Sequence, residues 1–202
     1  MIERLTENKG SHDFDHTERV YNMAVHLAKV EGADLEIIKI AALMHDIARK
    51  EEDDSNGTIN HALKGAEISR EILMDLGVGE DRIDQICECI ARHRFRDNNH
   101  PETLEEKIIF DADKLDSIGA VGLGRAFLFA GEFGNRMHNK DVDITQPLEY
   151  TKEDTAYHEF LVKLSKIKDK MQTEDGRRIA EHRHQFMADF FEEMNAEVVG
   201  ER

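Results

Sequence analysis

The chain has 202 residues, 40% of them hydrophobic and 35% charged, with a formal net charge of −16. That length suits one substantial domain, which would bury roughly 70% of its unfolded surface. The acid excess repels polyanions and argues against a long nucleic acid as partner, whereas a small anionic substrate stays compatible because local Arg and Lys can reverse the sign within a pocket.

Only 2 prolines and 13 glycines interrupt the chain, so long helices are permitted almost everywhere. The opening MIERLTENKGSHDFDH lacks the apolar core of a signal peptide, and no later run has the apolar length that spans a bilayer. A cytoplasmic protein without a membrane partner is expected. Cys87 and Cys89 stand one residue apart in an apolar helical stretch, where their side chains diverge, so inert buried thiols are expected rather than a disulfide.

The first helix opens near Asp13 or Asp15 and carries Val20, Met23, Ala24, Leu27 and Val30 at helical spacing until Gly32. A second begins near Asp34 and runs through Leu35, Ile38, Ala41, Ala42 and Ile47 to the polar turn EEDDSNG. Thr58 is the expected cap of a third, which bears Ala62, Ala66, Ile72, Leu73 and Leu76 and ends at GVG. A fourth contains Ile83, Ile86 and Ile90. A fifth, entered near Pro101, contains Leu104, Ile108, Ile109, Ala112 and Leu115. The small-residue segment SIGAVGLGRAFLFA continues as a tightly packed helix. Residues 131–150 show no clear period and read either as a binding loop or as ordinary surface. Charged amphipathic helices over about 152–170 and 177–194 close the chain. No segment reads as a strand, so the fold is all-α and a single domain is expected.

Chemistry concentrates in AALMHDIA and IIFDADKL, where Asp46 and Asp113 interrupt apolar runs. A carboxylate withdrawn from water needs a hydrogen bond, a counter-charge, a proton or a metal. His16, His45, His61 and His93 likewise fall on the apolar faces of successive helices. One such histidine is usually a satisfied core residue. Four of them with two buried aspartates suit a Zn, Mn, Fe, Co or Ni centre between facing helices.

These residues and their surroundings, HDFDHTERVYNMAVHLAKVEGAD, IIKIAALMHDIARK and FDADKLDSIGA, resemble the HD superfamily of metal-dependent phosphohydrolases. Its signature of a His, a His-Asp pair and a later Asp falls here on His16, His45, Asp46 and Asp113. The likeness is to small bacterial and archaeal members and extends to GRRIAEHRHQFMADFFEEM near the C-terminus. It implies one HD-type helical bundle domain over 1–202, with a metal-binding core at about 13–117 and a C-terminal helical extension at about 151–198. It also implies one or two divalent ions, drawn from Mn, Fe, Ni, Co, Zn and Mg. In the two-ion form Asp46 bridges, His16, His45 and Asp113 hold one ion, and His61 and His93 hold the other. In the one-ion form His61 and His93 bind phosphate or transfer protons.

The implied reaction is hydrolysis of a nucleotide or other small phosphoester, monoester or diester, in which Asp46, His61, His93 and Lys114 are catalytic candidates. Arg19, Lys64, Arg94, Arg96 and Lys114 are candidate phosphate partners, against the ordinary role of Lys and Arg on wet faces. Arg49 and Lys50 either reach the pocket or cap a helix end. A diiron oxygenase and a non-catalytic ligand-sensing HD module are the rival functions. His12, His182 and His184 are read as non-ligands, His26, His100, His138 and His158 have no supporting context, and EEDD is read as a solvated turn.

Overall fold

A computed structural model describes residues 14–94, 99–146, 148 and 151–201, and among them every regular element is helical. His12, Asp13 and Arg96 lie outside the described residues. No described helix is long and apolar enough to cross a membrane. By internal contacts the chain forms two compact units, Met1–Asp113 with Gln172–Gly176, and Lys114–Met171 with Arg177–Arg202.

The first unit is built on α1 (Phe14–Glu31), α2 (Leu35–Met44), α3 (Arg49–Asp54), α4 (His61–Asp75), α5 (Glu80–Arg92) and α6 (Leu104–Asp116) as far as Asp113. Helix α1 stops at Gly32, whose φ of +81° suits glycine; Gly32 and Ala33 N–H both donate to the Ala28 carbonyl. Asp34 then caps α2, its carboxylate accepting from the N–H groups of Glu36 and Ile37. The cap of α4 is Asn60, which accepts from Ala62 N–H, and not Thr58, whose hydroxyl donates to the Ser55 carbonyl. His61 is therefore the first residue of that helix.

Helix α2 packs against α1 and α5, and α4 packs against α5 and α3. Their shared core contains Val20, Leu27, Ile38, Ile83, Ile86 and Ile90, with Ile108, Ile109 and Phe110 from α6. Each such side chain contributes about 1.5–3 kcal/mol by leaving water. Cys87 and Cys89 are free and buried on α5, and burial raises the pKa of both thiols. Native protein should therefore resist a water-soluble thiol reagent for hours and react at both positions once unfolded, which colorimetric thiol titration with and without denaturant will show.

The second unit comprises the end of α6, then α7 (Gly119–Glu132), α8 (Ala156–Val162), two 3-10 turns at Leu164–Lys166 and Lys168–Lys170, and most of α9 (Glu174–Val199). The small-residue segment is thus not one continuous helix with its predecessor. The break is at Ser117, and a Cβ at Gly122 would lie 2.3 Å from the Ser117 carbonyl oxygen. Phe191, 1% exposed, holds the aromatic core, with Tyr157 and Phe160 ring centroids 5.1 and 5.0 Å away. Two histidines here are structural: His158 pairs with Asp154 at 2.9 Å, and His138 meets Asn195 Oδ1 at 2.8 Å.

Candidate metal centre

The backbone at the His45–Asp46 pair sets the geometry. The apolar spacing predicts that the second helix runs through Ile47, but α2 ends at Met44 and residues 45–48 form turns. These are closed by Ile47 N–H on the Met44 carbonyl (3.1 Å) and Arg49 N–H on the Asp46 carbonyl (3.0 Å). His45 keeps right-handed helical backbone angles as the C-cap of α2. His45 is fully buried and Asp46 is 4% exposed, with His45 Nε2 3.7 Å from Asp46 Oδ2.

Six of the side chains singled out in the sequence come together there, as two three-donor groups: His16, His45 and Asp113, and Asp46, His61 and His93. In the first, His16 Nε2 lies 3.3 Å from His45 Nε2 and 3.5 Å from Asp113 Oδ1. In the second, His61 Nε2 lies 3.1 Å from both His93 Nε2 and Asp46 Oδ1, and His93 Nε2 lies 3.6 Å from that oxygen. The other Asp46 oxygen, Oδ2, is 3.6 Å from His16 Nε2. One carboxylate thus presents an oxygen to each group.

The donor chemistry fits divalent ions. His45 Nδ1 lies 2.8 Å from the Ala42 carbonyl and His93 Nδ1 2.6 Å from the Ile90 carbonyl. A carbonyl only accepts, so both Nδ1 atoms carry a proton, and in the neutral tautomer this selects the lone pair lies on Nε2. Burial also pushes the His45 pKa down to about 4, against the opposing pull of the Asp46 charge, so that ring is neutral near pH 7. His61 turns its Nδ1 to the Glu52 carboxylate and its Nε2 to His93 Nε2 and Asp46 Oδ1. Two imidazole nitrogens and a carboxylate oxygen gathered this closely form a donor set suited to a divalent cation. Separations of 3.1–3.7 Å also suit donors held at about 2.0–2.2 Å from a shared ion.

Glu52 was missed at the sequence level. The turn EEDD is not uniformly solvated: Glu52 is 5% exposed and accepts from Arg94 Nη1, His61 Nδ1 and, at 3.1 Å, Arg49 Nη1. Burial opposes its ionisation, but the bonds from Arg94 and His61 outweigh that and hold the carboxyl below its usual pKa. Nothing in RKEEDD marks it out from Glu51, Asp53 or Asp54, since a charge run ordinarily marks a wet face.

The candidate phosphate partners are placed differently from one another. Arg94 is committed to Glu52, and its Nη1 also stands 3.0 Å from His61 Nδ1. Lys64, one turn after His61 on α4, makes an exposed pair with Glu67 at 2.8 Å. Arg19 is half-buried on α1, and Lys114 is half-buried on α6 directly after Asp113.

The amino-acid sequence matches the HD domain over residues 13–118. It is 36% identical over 200 residues to YpgQ of Bacillus subtilis (strain 168), a match covering 97% of this chain and 89% of that one. In three dimensions the chain is similar to the crystal structure of Bacillus subtilis YpgQ in complex with ADP, with a TM-score of 0.75, 31% identity in the superposition, and coverage of 98% of this chain and 96% of that chain. A crystal structure of an HD-superfamily hydrolase from Bacillus thuringiensis gives a TM-score of 0.75 and 30% identity, covering 98% of this chain and 92% of that chain.

Proposed function

The chain belongs to the HD-domain family, and from that premise we propose that it is a divalent-metal-dependent phosphohydrolase acting on a nucleotide or other small phosphoester. The observation that carries this reading is the Asp46 carboxylate set between two clusters of imidazole and carboxylate donors. The Bacillus thuringiensis relative is an HD-superfamily hydrolase, which supports hydrolysis, and the crystallised YpgQ holds ADP, which supports a phosphorylated small molecule as the substrate.

In this reading His16, His45 and Asp113 would hold one ion and Asp46, His61 and His93 a second. Divalent ions so held would supply a hydroxide near neutral pH and an electrophile for a phosphoryl oxygen. The chain's own residues do the rest. The Ala42 and Ile90 carbonyls fix the tautomers of His45 and His93, so that both rings face the cavity with lone pairs and no rotation is needed when ions arrive. Lys64 exchanges a weak exposed pair with Glu67 for a charge-assisted bond to a phosphate oxygen, and Arg19 offers a guanidinium one turn after His16 on α1. Such local cations are needed because the net charge of −16 repels the substrate at long range.

The test is elemental analysis of protein purified without chelator, followed by a panel of nucleotides and simple phosphoesters with Mn, Fe, Ni, Co, Zn and Mg in turn. Metal-dependent release of phosphate or a phosphorylated product is expected, and full loss on chelation. Bound iron with an absorption change on exposure to oxygen, and no ester cleaved under any ion, would move the assignment to oxygenase chemistry. Tight nucleotide binding without turnover would make the chain a sensor.

A further inference from the structure

Behind the His61 ring stands a carboxylate for which the proposed reaction has no direct use. Glu52 belongs to a six-residue helix made only of charged side chains, yet it is buried. An ionised carboxylate withdrawn from water is tolerated when its lone pairs are matched. Glu52 is matched by Arg94 at Oε1 and by His61 and Arg49 at Oε2.

The reason for this device lies in where each imidazole sits on its helix. His45 and His93 follow the last residues of α2 and α5, so each Nδ1 finds a carbonyl three residues back in its own helix. His61 is the first residue of α4 and has no helical carbonyl behind it. Its Nδ1 needs an acceptor from elsewhere, and Glu52 supplies one that carries a full charge. A carboxylate makes the far nitrogen of the ring more electron-rich than a neutral carbonyl does, and it fixes the ring's orientation.

We propose that Glu52 is a positioning residue that, through His61 Nδ1, sets the divalent-cation affinity of the group formed by Asp46, His61 and His93, with Arg94 and Arg49 holding its carboxylate in register. The inference rests on the two-ion reading above. It assigns a structural purpose to Arg94, which sits one residue after His93 and bonds the same carboxylate that His61 uses.

Calorimetric titration of metal-stripped protein with Mn2+ tests it without reference to turnover. Wild type is expected to take up two ions per chain. Glu52→Gln keeps the volume and one accepting oxygen but removes the charge, and should weaken one site by about 10–100-fold while leaving the other unchanged. Glu51→Gln removes an equal charge one residue away and should alter neither site. Arg94→Lys, which loosens the grip on Oε1, should weaken the same site as Glu52→Gln by a smaller factor. Unchanged affinities in Glu52→Gln, or a loss matched by Glu51→Gln, overturn the role of Glu52 and leave two-ion binding intact. A single ion on the wild type overturns the two-ion reading itself. Glu52→Ala would strand two guanidinium groups, so the isosteric variant carries the test, with far-UV circular dichroism verifying its fold.

Discussion

Replacing Asp46 by alanine is expected to empty the centre and lower metal-dependent hydrolysis by about three orders of magnitude or more, the scale seen when a group acting jointly with its neighbours is removed. Both oxygens are engaged: Oδ1 lies 3.1 Å from His61 Nε2, and Oδ2 lies 3.6 and 3.7 Å from His16 and His45. No other carboxylate faces both three-donor groups among the described residues. Without it the second group keeps His61 and His93 but no carboxylate, and Asp113 is the one carboxylate left in the first beside His16 and His45. Asp113→Ala, which touches one group, should reduce metal content by one ion rather than two. Elemental analysis of the two purified variants beside the wild type decides the matter. Equal metal content in Asp46→Ala and wild type would remove Asp46 from the centre, whatever happens to turnover.

Much of this arrangement was legible in the sequence because the relevant signals are local. Four histidines sit on apolar helical faces, and the structure buries all four side chains, none more than 3% exposed. Asp34 and Gly32 announce the join between α1 and α2 by residue type alone, and both act there as their chemistry directs. What was not legible depends on distant partners. The apolar pattern continues past Met44 into Ile47, whereas the regular helix ends at Met44 and residues 45–48 form turns, which the residue types do not announce. Thr58 is a weaker cap by type than Asn60, and its hydroxyl donates instead to the Ser55 carbonyl. Glu52 finds its partner Arg94 42 residues later, so no window on RKEEDD could have separated it from its acidic neighbours.

The word FDADKL holds two aspartates two residues apart, and the structure divides them between different tasks. Asp113 Oδ1 faces His16 Nε2 at 3.5 Å, while Asp111 is fully buried among other partners. Its Oδ1 accepts from Gln172 N–H at 2.9 Å, and its Oδ2 accepts from the N–H and hydroxyl of Thr173 at 2.8 and 2.7 Å. Thr173 Oγ1 in turn accepts from Gly176 N–H at 3.1 Å, which seats the first turn of α9 against α6. A Cβ on Gly176 would lie 2.4 Å from Asp111 Oδ2, so the glycine is required by this close approach.

Asp111→Ala is therefore expected to take this acceptor from the part-buried Gln172 N–H and from the buried N–H and hydroxyl of Thr173, and to cost about 3–5 kcal/mol, since each stranded buried donor alone costs about 1–3 kcal/mol. Asn at 111 should fare little better, because its amide would set an N–H against one of those donors. Urea titration followed by circular dichroism on metal-free protein should show the midpoint falling in both variants, with Gly176→Ala behaving alike. Asp113→Ala should keep the wild-type midpoint and lose metal. If Asp111→Ala unfolds at the wild-type urea concentration, the seating of α9 contributes nothing to stability. If instead it loses metal at full stability, the two aspartates have been assigned in the wrong order.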